Sequence, residues 1–171
     1  MVSAHLKAAA HWLAGFHGVC GIDGTAPSGP SHGDFWARNL LLGPSCSDSG
    51  NFDVAVVDWE SFRPSGPAFY DLFHFPVTYV ENYPWHQYRR LPLPEAFRLG
   101  FLEGNPVSRA LRRYFCMYCS RVGMDAEPLD SLLRAYLKAR MGEPGTRQGN
   151  PWSECLELLE AHPSAVLSCD P

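Results

Sequence analysis

SHGDFWARNLLLG, residues 31–43, and FDVAVVDWESF, residues 52–62, are two apolar runs, the first with a polar knot before it and the second ending on a carboxylate. Residues 40–42 and 54–57 carry the Leu and β-branched side chains that suit paired strands. The Pro, Ser, Asp and Gly between them suit a turn. The spacing predicts an antiparallel hairpin with a long loop. In that pairing Asn39, opening the first strand, lies near Asp58 at the end of the second. Asp34, in the turn just before, comes to the same end. Three oxygen-bearing side chains then converge at one edge of an apolar hairpin. Carboxylate and amide oxygens are hard ligands, better suited to Mg²⁺ than to zinc. A cation there can bridge phosphate oxygens while an unligated carboxylate takes the proton of an attacking hydroxyl. Each residue alone is an ordinary turn residue whose side chain bonds nearby backbone; only the ordered set carries the chemical reading.

Composition bounds what else the chain can be. Its 171 residues are enough for one domain with a core of its own. With 46% apolar and 19% charged residues it belongs with globular chains rather than disordered ones. A net charge of −4 offers no broad basic field, which argues against nucleic acid or an anionic membrane as partner. No apolar run is long enough to span a bilayer. MVSAHLKAAAHWLAGFHG, residues 1–18, carries Lys7, His5, His11 and His17 within its apolar pattern and does not read as a signal peptide. A cytoplasmic location is expected. Cysteines at positions 20, 46, 116, 119, 155 and 169 are scattered, so reduced thiols are expected rather than a disulfide framework. Cys116 and Cys119 have C-x-x-C spacing within a helical pattern, residues 110–123, but no second pair accompanies them. They read as packed thiols before they read as a zinc or redox site.

Along the chain, Leu6, Ala9, Ala10, Leu13 and Phe16 form one helical stripe, with Gly18 and Gly21 expected to end the helix. GIDGTAPSGPS, residues 21–31, reads as loop with no strand in it. Beyond Pro67 the signals are helical. Pro94, Pro106, Pro128 and Pro151 stand where first-turn prolines are favoured, and Gly142 is a plausible stop. Behind those prolines lie core-facing stripes such as Leu111, Tyr114, Phe115 and Tyr118, then Leu129, Leu133, Tyr136 and Leu137. The fold class is α+β, mostly helical, with a small hairpin. The tail, residues 162–171, reads as frayed.

The interval from Asp34 to Asn39, followed a strand later by Asp58, resembles that of phosphoryl-transfer enzymes. His32-Gly33-Asp34 together with Asp58-Trp59-Glu60 resembles the aminoglycoside phosphotransferase and choline kinase-like family rather than the protein kinases. RPSGPAFYDLFHF, residues 63–75, is similar to that family's Gly-x-x-x-x-Asp-Leu segment, with Asp71 and Leu72 in the matching places. The likeness runs from about Leu6 to Trp152. It implies the C-terminal lobe of a protein kinase-like fold over residues 1–161: catalytic loop 31–43, metal-binding strand 52–60 and helical subdomain 67–161, then a tail at 162–171. It also implies ATP- and Mg²⁺-dependent phosphoryl transfer, from ATP or another nucleoside triphosphate, to a small-molecule hydroxyl. In that scheme Asp34 orients and deprotonates the acceptor, while Asn39 and Asp58 hold Mg²⁺ on the nucleotide phosphates. His32 braces the loop. Asp71 caps a helix and ties loop amides. Glu60 either assists the metal or acceptor or is simply solvated. Acceptors in the family include aminoglycosides, choline, ethanolamine, sugars and macrolides. Tyr79, Glu81, Tyr83 and Trp85 either face the acceptor or pack between helices.

Two departures accompany the likeness. The Gly-rich loop and strand lysine that clamp the phosphates in such enzymes lie N-terminal to everything seen here, so the N-terminal lobe is expected to be absent and the isolated chain a poor catalyst. No apolar strand leads into His32. The rival reading is a non-catalytic remnant that binds a partner, a missing N-lobe segment or a second copy, through the face that lobe would cover. The remaining histidines, His74 among them, share no spacing and read as packing or surface residues.

Overall fold

Ala-rich and apolar at every third or fourth position, the first helix α1 (Val2–Val19) buries Leu6, Ala9, Ala10 and Leu13. The structure is a computed structural model that describes residues 2–22, 28–44, 52–67, 69–82, 91–126, 128–143, 150–162 and 167. Gly18 does not end α1 as expected. The helix continues through it and closes at Gly21, whose φ of 69° lets the Ile22 N–H return to the His17 carbonyl at 2.9 Å.

The expected hairpin is present. Strands β2 (Leu40–Pro44) and β3 (Phe52–Val56) pair antiparallel, Leu40 opposite Val56 and Leu42 opposite Val54. The lead into His32, expected to hold no strand, is a strand: β1 (Ser28–Ser31) pairs antiparallel with β4 (Arg63–Pro67). The pairing shifts register between Gly29 and Ser31, at Pro30, where a residue without an N–H is tolerated. Only Ser31 of β1 is buried, so no apolar alternation marks it. These two ribbons are the described β structure.

Helix α2 (Tyr70–Asn82) is buried on every side over residues 70–77 and is the axis of the core. Pro76 lies inside it and cannot donate to the carbonyl four residues back, Leu72. That carbonyl instead accepts from the Tyr114 hydroxyl at 3.1 Å. Short α3 (Leu93–Phe97) runs into a π-helical turn (Arg98–Leu102). Helix α4 (Pro106–Val122) starts with a capping box, Asn105 accepting from Val107 and Ser108 amides while Ser108 Oγ accepts from the Asn105 amide. Helices α5 (Leu129–Met141) and α6 (Pro151–Ala161) complete an α+β chain. Pro106 and Pro151 open their helices, Pro94 lies in the first turn of α3, Pro128 caps α5, and Gly142 ends α5.

Among the described residues no helix is long and apolar enough to cross a membrane. The thiols of Cys20, Cys119 and Cys155 are free, as expected. Cys116 is not. It is disulfide-bonded, which corrects the reading of the Cys116/Cys119 pair as two packed thiols. Sequence spacing missed it because disulfide connectivity cannot be deduced from cysteine spacing alone.

Candidate active site

The loop from His32 to Asn39 hangs on α2. Asp71, in the first turn of that helix, accepts the His32 amide at 2.5 Å and the Gly33 amide at 3.0 Å, one on each carboxylate oxygen. Its carboxylate thus ties the loop, as expected, but it sits within the helix and does not cap it. Burial pushes its pKa above the ordinary carboxylate value, against the pull of those two amides. Gly33 holds φ 83°, and a Cβ there would stand 2.2 Å from the Ser61 carbonyl oxygen. Only glycine fits. The His32 ring is buried, with Nε2 3.0 Å from the Val57 carbonyl and Nδ1 3.3 Å from the Asp34 amide. Donation from Nε2–H leaves Nδ1 as acceptor, so one tautomer serves both bonds.

Asp34 is held at both oxygens. Asn39 Nδ2 donates to Oδ2 at 3.2 Å and to the Asp34 carbonyl at 2.9 Å, while His74 Nε2 lies 3.4 Å from Oδ1. The hydrogen bond with His74 is the largest influence holding the Asp34 pKa below the ordinary value; partial burial opposes it. The side chain is 42% exposed, so an acceptor hydroxyl can reach it.

One residue past the hairpin ladder, the Val57 amide donates to the Asn39 carbonyl at 3.0 Å, so Asp58 follows directly on the residue bonded to Asn39. Asp58 has φ 64° and ψ 63°, the sole non-glycine residue with positive φ among those described. Left-handed backbone costs on the order of 1 kcal/mol for an L-residue, and Asp is one of the few types that visits it. The bend turns the chain out of β3 into a 3₁₀ turn (Trp59–Ser61) and leaves the Asp58 side chain exposed. Trp59 anchors the turn, its indole donating to the Val56 carbonyl at 2.9 Å and its ring lying 4.6 Å from that of His32. Glu60 is exposed on the turn. The Arg38 guanidinium stacks 5.2 Å over the Trp36 ring.

Asp34 and Asn39 are therefore in contact, Asp58 follows the residue bonded to the Asn39 carbonyl, and His32 and Asp71 brace the loop. Tyr79 is buried and stacks on Phe75; Tyr83 and Trp85 lie outside the described residues. Among the described residues no three His, Cys, Asp or Glu side chains gather as a metal site. For a cation at this loop, the Asn39 amide oxygen, its nitrogen being engaged by Asp34, and the exposed Asp58 carboxylate are the oxygen donors on offer. Such a sparse oxygen set suits Mg²⁺, which retains waters and takes phosphate oxygens, better than Ca²⁺ or zinc.

His74 was missed from the sequence. Its signal was its place three residues after Asp71 on a helix, which puts both side chains on one face. Comparisons with protein-family profiles, with curated proteins and with solved structures return no match for this chain.

Proposed function

We propose that this chain carries the phosphoryl-transfer half of a kinase-like fold of the aminoglycoside phosphotransferase and choline kinase kind, acting on a small-molecule hydroxyl with Mg²⁺ and ATP or a related nucleoside triphosphate. The observation that supports it is the hydrogen-bonded Asp34–Asn39 pair, with the Asn39 carbonyl bonded to Val57, the residue before Asp58. Asp34, ionised and partly exposed, accepts the proton of the acceptor hydroxyl as its oxygen attacks the terminal phosphorus. Asn39 and Asp58 would hold the cation, which when bound neutralises phosphate charge. His32 and Asp71 keep the loop in place, and Glu60 is left solvated.

Calorimetry of nucleotide binding tests this. Wild type should bind ATP only with Mg²⁺ present, and Asp58→Ala should weaken binding at least tenfold. Binding that ignores Mg²⁺, or that Asp58→Ala leaves intact, overturns the proposal.

A second reading, an interaction module, draws on Leu41, Val57, Trp59 and Phe62, large apolar side chains exposed around the same hairpin. Size-exclusion chromatography separates the two: concentration-dependent association without Mg²⁺-dependent nucleotide binding favours the module.

A further inference from the structure

We propose that Tyr136 locks His74 as the tautomer with its proton on Nε2, and that His74 is thereby a positioning residue that fixes the orientation of the Asp34 carboxylate. The ring of His74 is buried within α2 and stacks on Tyr70 at 5.3 Å and 20°. Its two nitrogens face different partners. Nε2 lies 3.4 Å from Asp34 Oδ1, and Nδ1 lies 3.1 Å from the Tyr136 hydroxyl.

Proton counting decides the arrangement. An ionised carboxylate only accepts, so the hydrogen between Asp34 and His74 belongs to Nε2. Burial pushes the Tyr136 hydroxyl well above its ordinary pKa, so it keeps its proton. That O–H finds its acceptor, among the described residues, in Nδ1 of His74. A proton on Nδ1 would leave the buried O–H of Tyr136 unpaired there. Tyr136 O–H donating to Nδ1, and Nε2–H donating to Asp34, is the one order that pairs every group.

The lock is itself anchored. Tyr70, stacked on His74, accepts from Arg140 Nη1 at 2.8 Å and donates to Glu143 at 3.1 Å. Arg140 also lies 4.5 Å over the Trp152 ring. The carboxylate of Asp34 is therefore gripped by Asn39 on Oδ2 and, through His74, by the end of α5 on Oδ1.

Calling Asp34 a base rests on the proposed function; the lock and the grip on the carboxylate do not. The test uses the full chain labelled with ¹⁵N-histidine. Long-range ¹H–¹⁵N spectra should show His74, assigned by its loss in His74→Gln, with pyrrole-type Nε2 and pyridine-type Nδ1. Tyr136→Phe should mix the tautomers, and Asp34→Asn should move the Nε2 resonance. The Asp34 carboxyl ¹³C signal should shift in His74→Leu and return in His74→Gln, whose amide N–H reaches the Nε2 position. A pyrrole-type Nδ1, a doubly protonated ring, or indifference to Tyr136→Phe overturns the proposal. If His74→Leu does not fold, Tyr136→Phe and His74→Gln carry the test. Where the chain turns over ATP, His74→Leu should lower kcat roughly 10–100-fold with KM for ATP unchanged, and His74→Gln should recover most of it. An unchanged kcat in His74→Leu overturns the positioning role. A locked tautomer in a chain that binds no Mg²⁺-nucleotide removes the kinase reading and leaves the lock standing.

Discussion

Gly33 carries two constraints at once, a φ of 83° and a Ser61 carbonyl oxygen where its Cβ would go. Gly21, with φ 69°, carries the first without the second, since nothing lies within 4 Å of its would-be Cβ. Comparing Gly33→Ala with Gly21→Ala in urea denaturation therefore separates strain from collision. Gly21→Ala should cost about 1 kcal/mol, and Gly33→Ala roughly 2–3 kcal/mol or more, because backbone must move. Equal costs would mean that the loop does not lie against Ser61. His17 makes a second residue-scale case. Its ring is fully buried, Nδ1 2.5 Å from the Tyr118 hydroxyl, and burial lowers its pKa from 6.5 to about 4. The folded chain resists the proton that the unfolded chain accepts. The stabilising contribution is thus complete above pH 6.5 and is lost as pH falls from there toward 4, a change of roughly 3 kcal/mol when fully developed. Other groups titrate in the same window, so the measurement is the difference between wild type and His17→Gln. The variant should show the shallower fall, and parallel curves would place His17 in contact with water.

At the scale of elements, α2 contains its own defect and its own repair. Pro76 orphans the Leu72 carbonyl, and Tyr114 from α4 supplies the missing donor. Tyr114→Phe should cost about 1–3 kcal/mol by leaving that oxygen buried and unpaired. In a Pro76→Ala background the helix provides its own N–H, so the same change should cost visibly less; an additive cycle would deny the repair. Such pairings mark the boundary of what the sequence discloses. The β2–β3 hairpin was legible because both strands carry Leu and Val side chains with turn residues between. Strand β1 was not, because Ser28, Gly29, Pro30 and Ser31 give it no apolar face and only backbone holds it to β4. The Asp34–Asn39 contact could be named from spacing, since the two lie five residues apart in one loop. His74 meets Tyr136 across 62 residues of chain, and no local pattern encodes that meeting.

The whole molecule is organised around α2, against which α1, α3 and α5 pack, while α1 also lies along α4. The loop bearing Asp34 is thus fixed to the most buried element of the core, a placement that favours a rigid site over a mobile one. Helix α4 also carries a covalent tie, the disulfide of Cys116. Such a bond is uncommon in a reducing compartment, which sets it against the reduced thiols that the scattered cysteines suggested and against the cytoplasmic location expected from the N-terminal sequence. Its effect should be measurable. Thiol titration of the denatured chain should find at most four reactive groups before reduction and all six cysteines after. Reduction should lower the thermal midpoint by roughly 5–15 °C, since a cross-link that restricts the unfolded chain contributes about 2–4 kcal/mol. Six thiols before reduction would abolish the bond. A bond present by titration whose reduction leaves the midpoint unmoved would mean that α4 is held by packing alone.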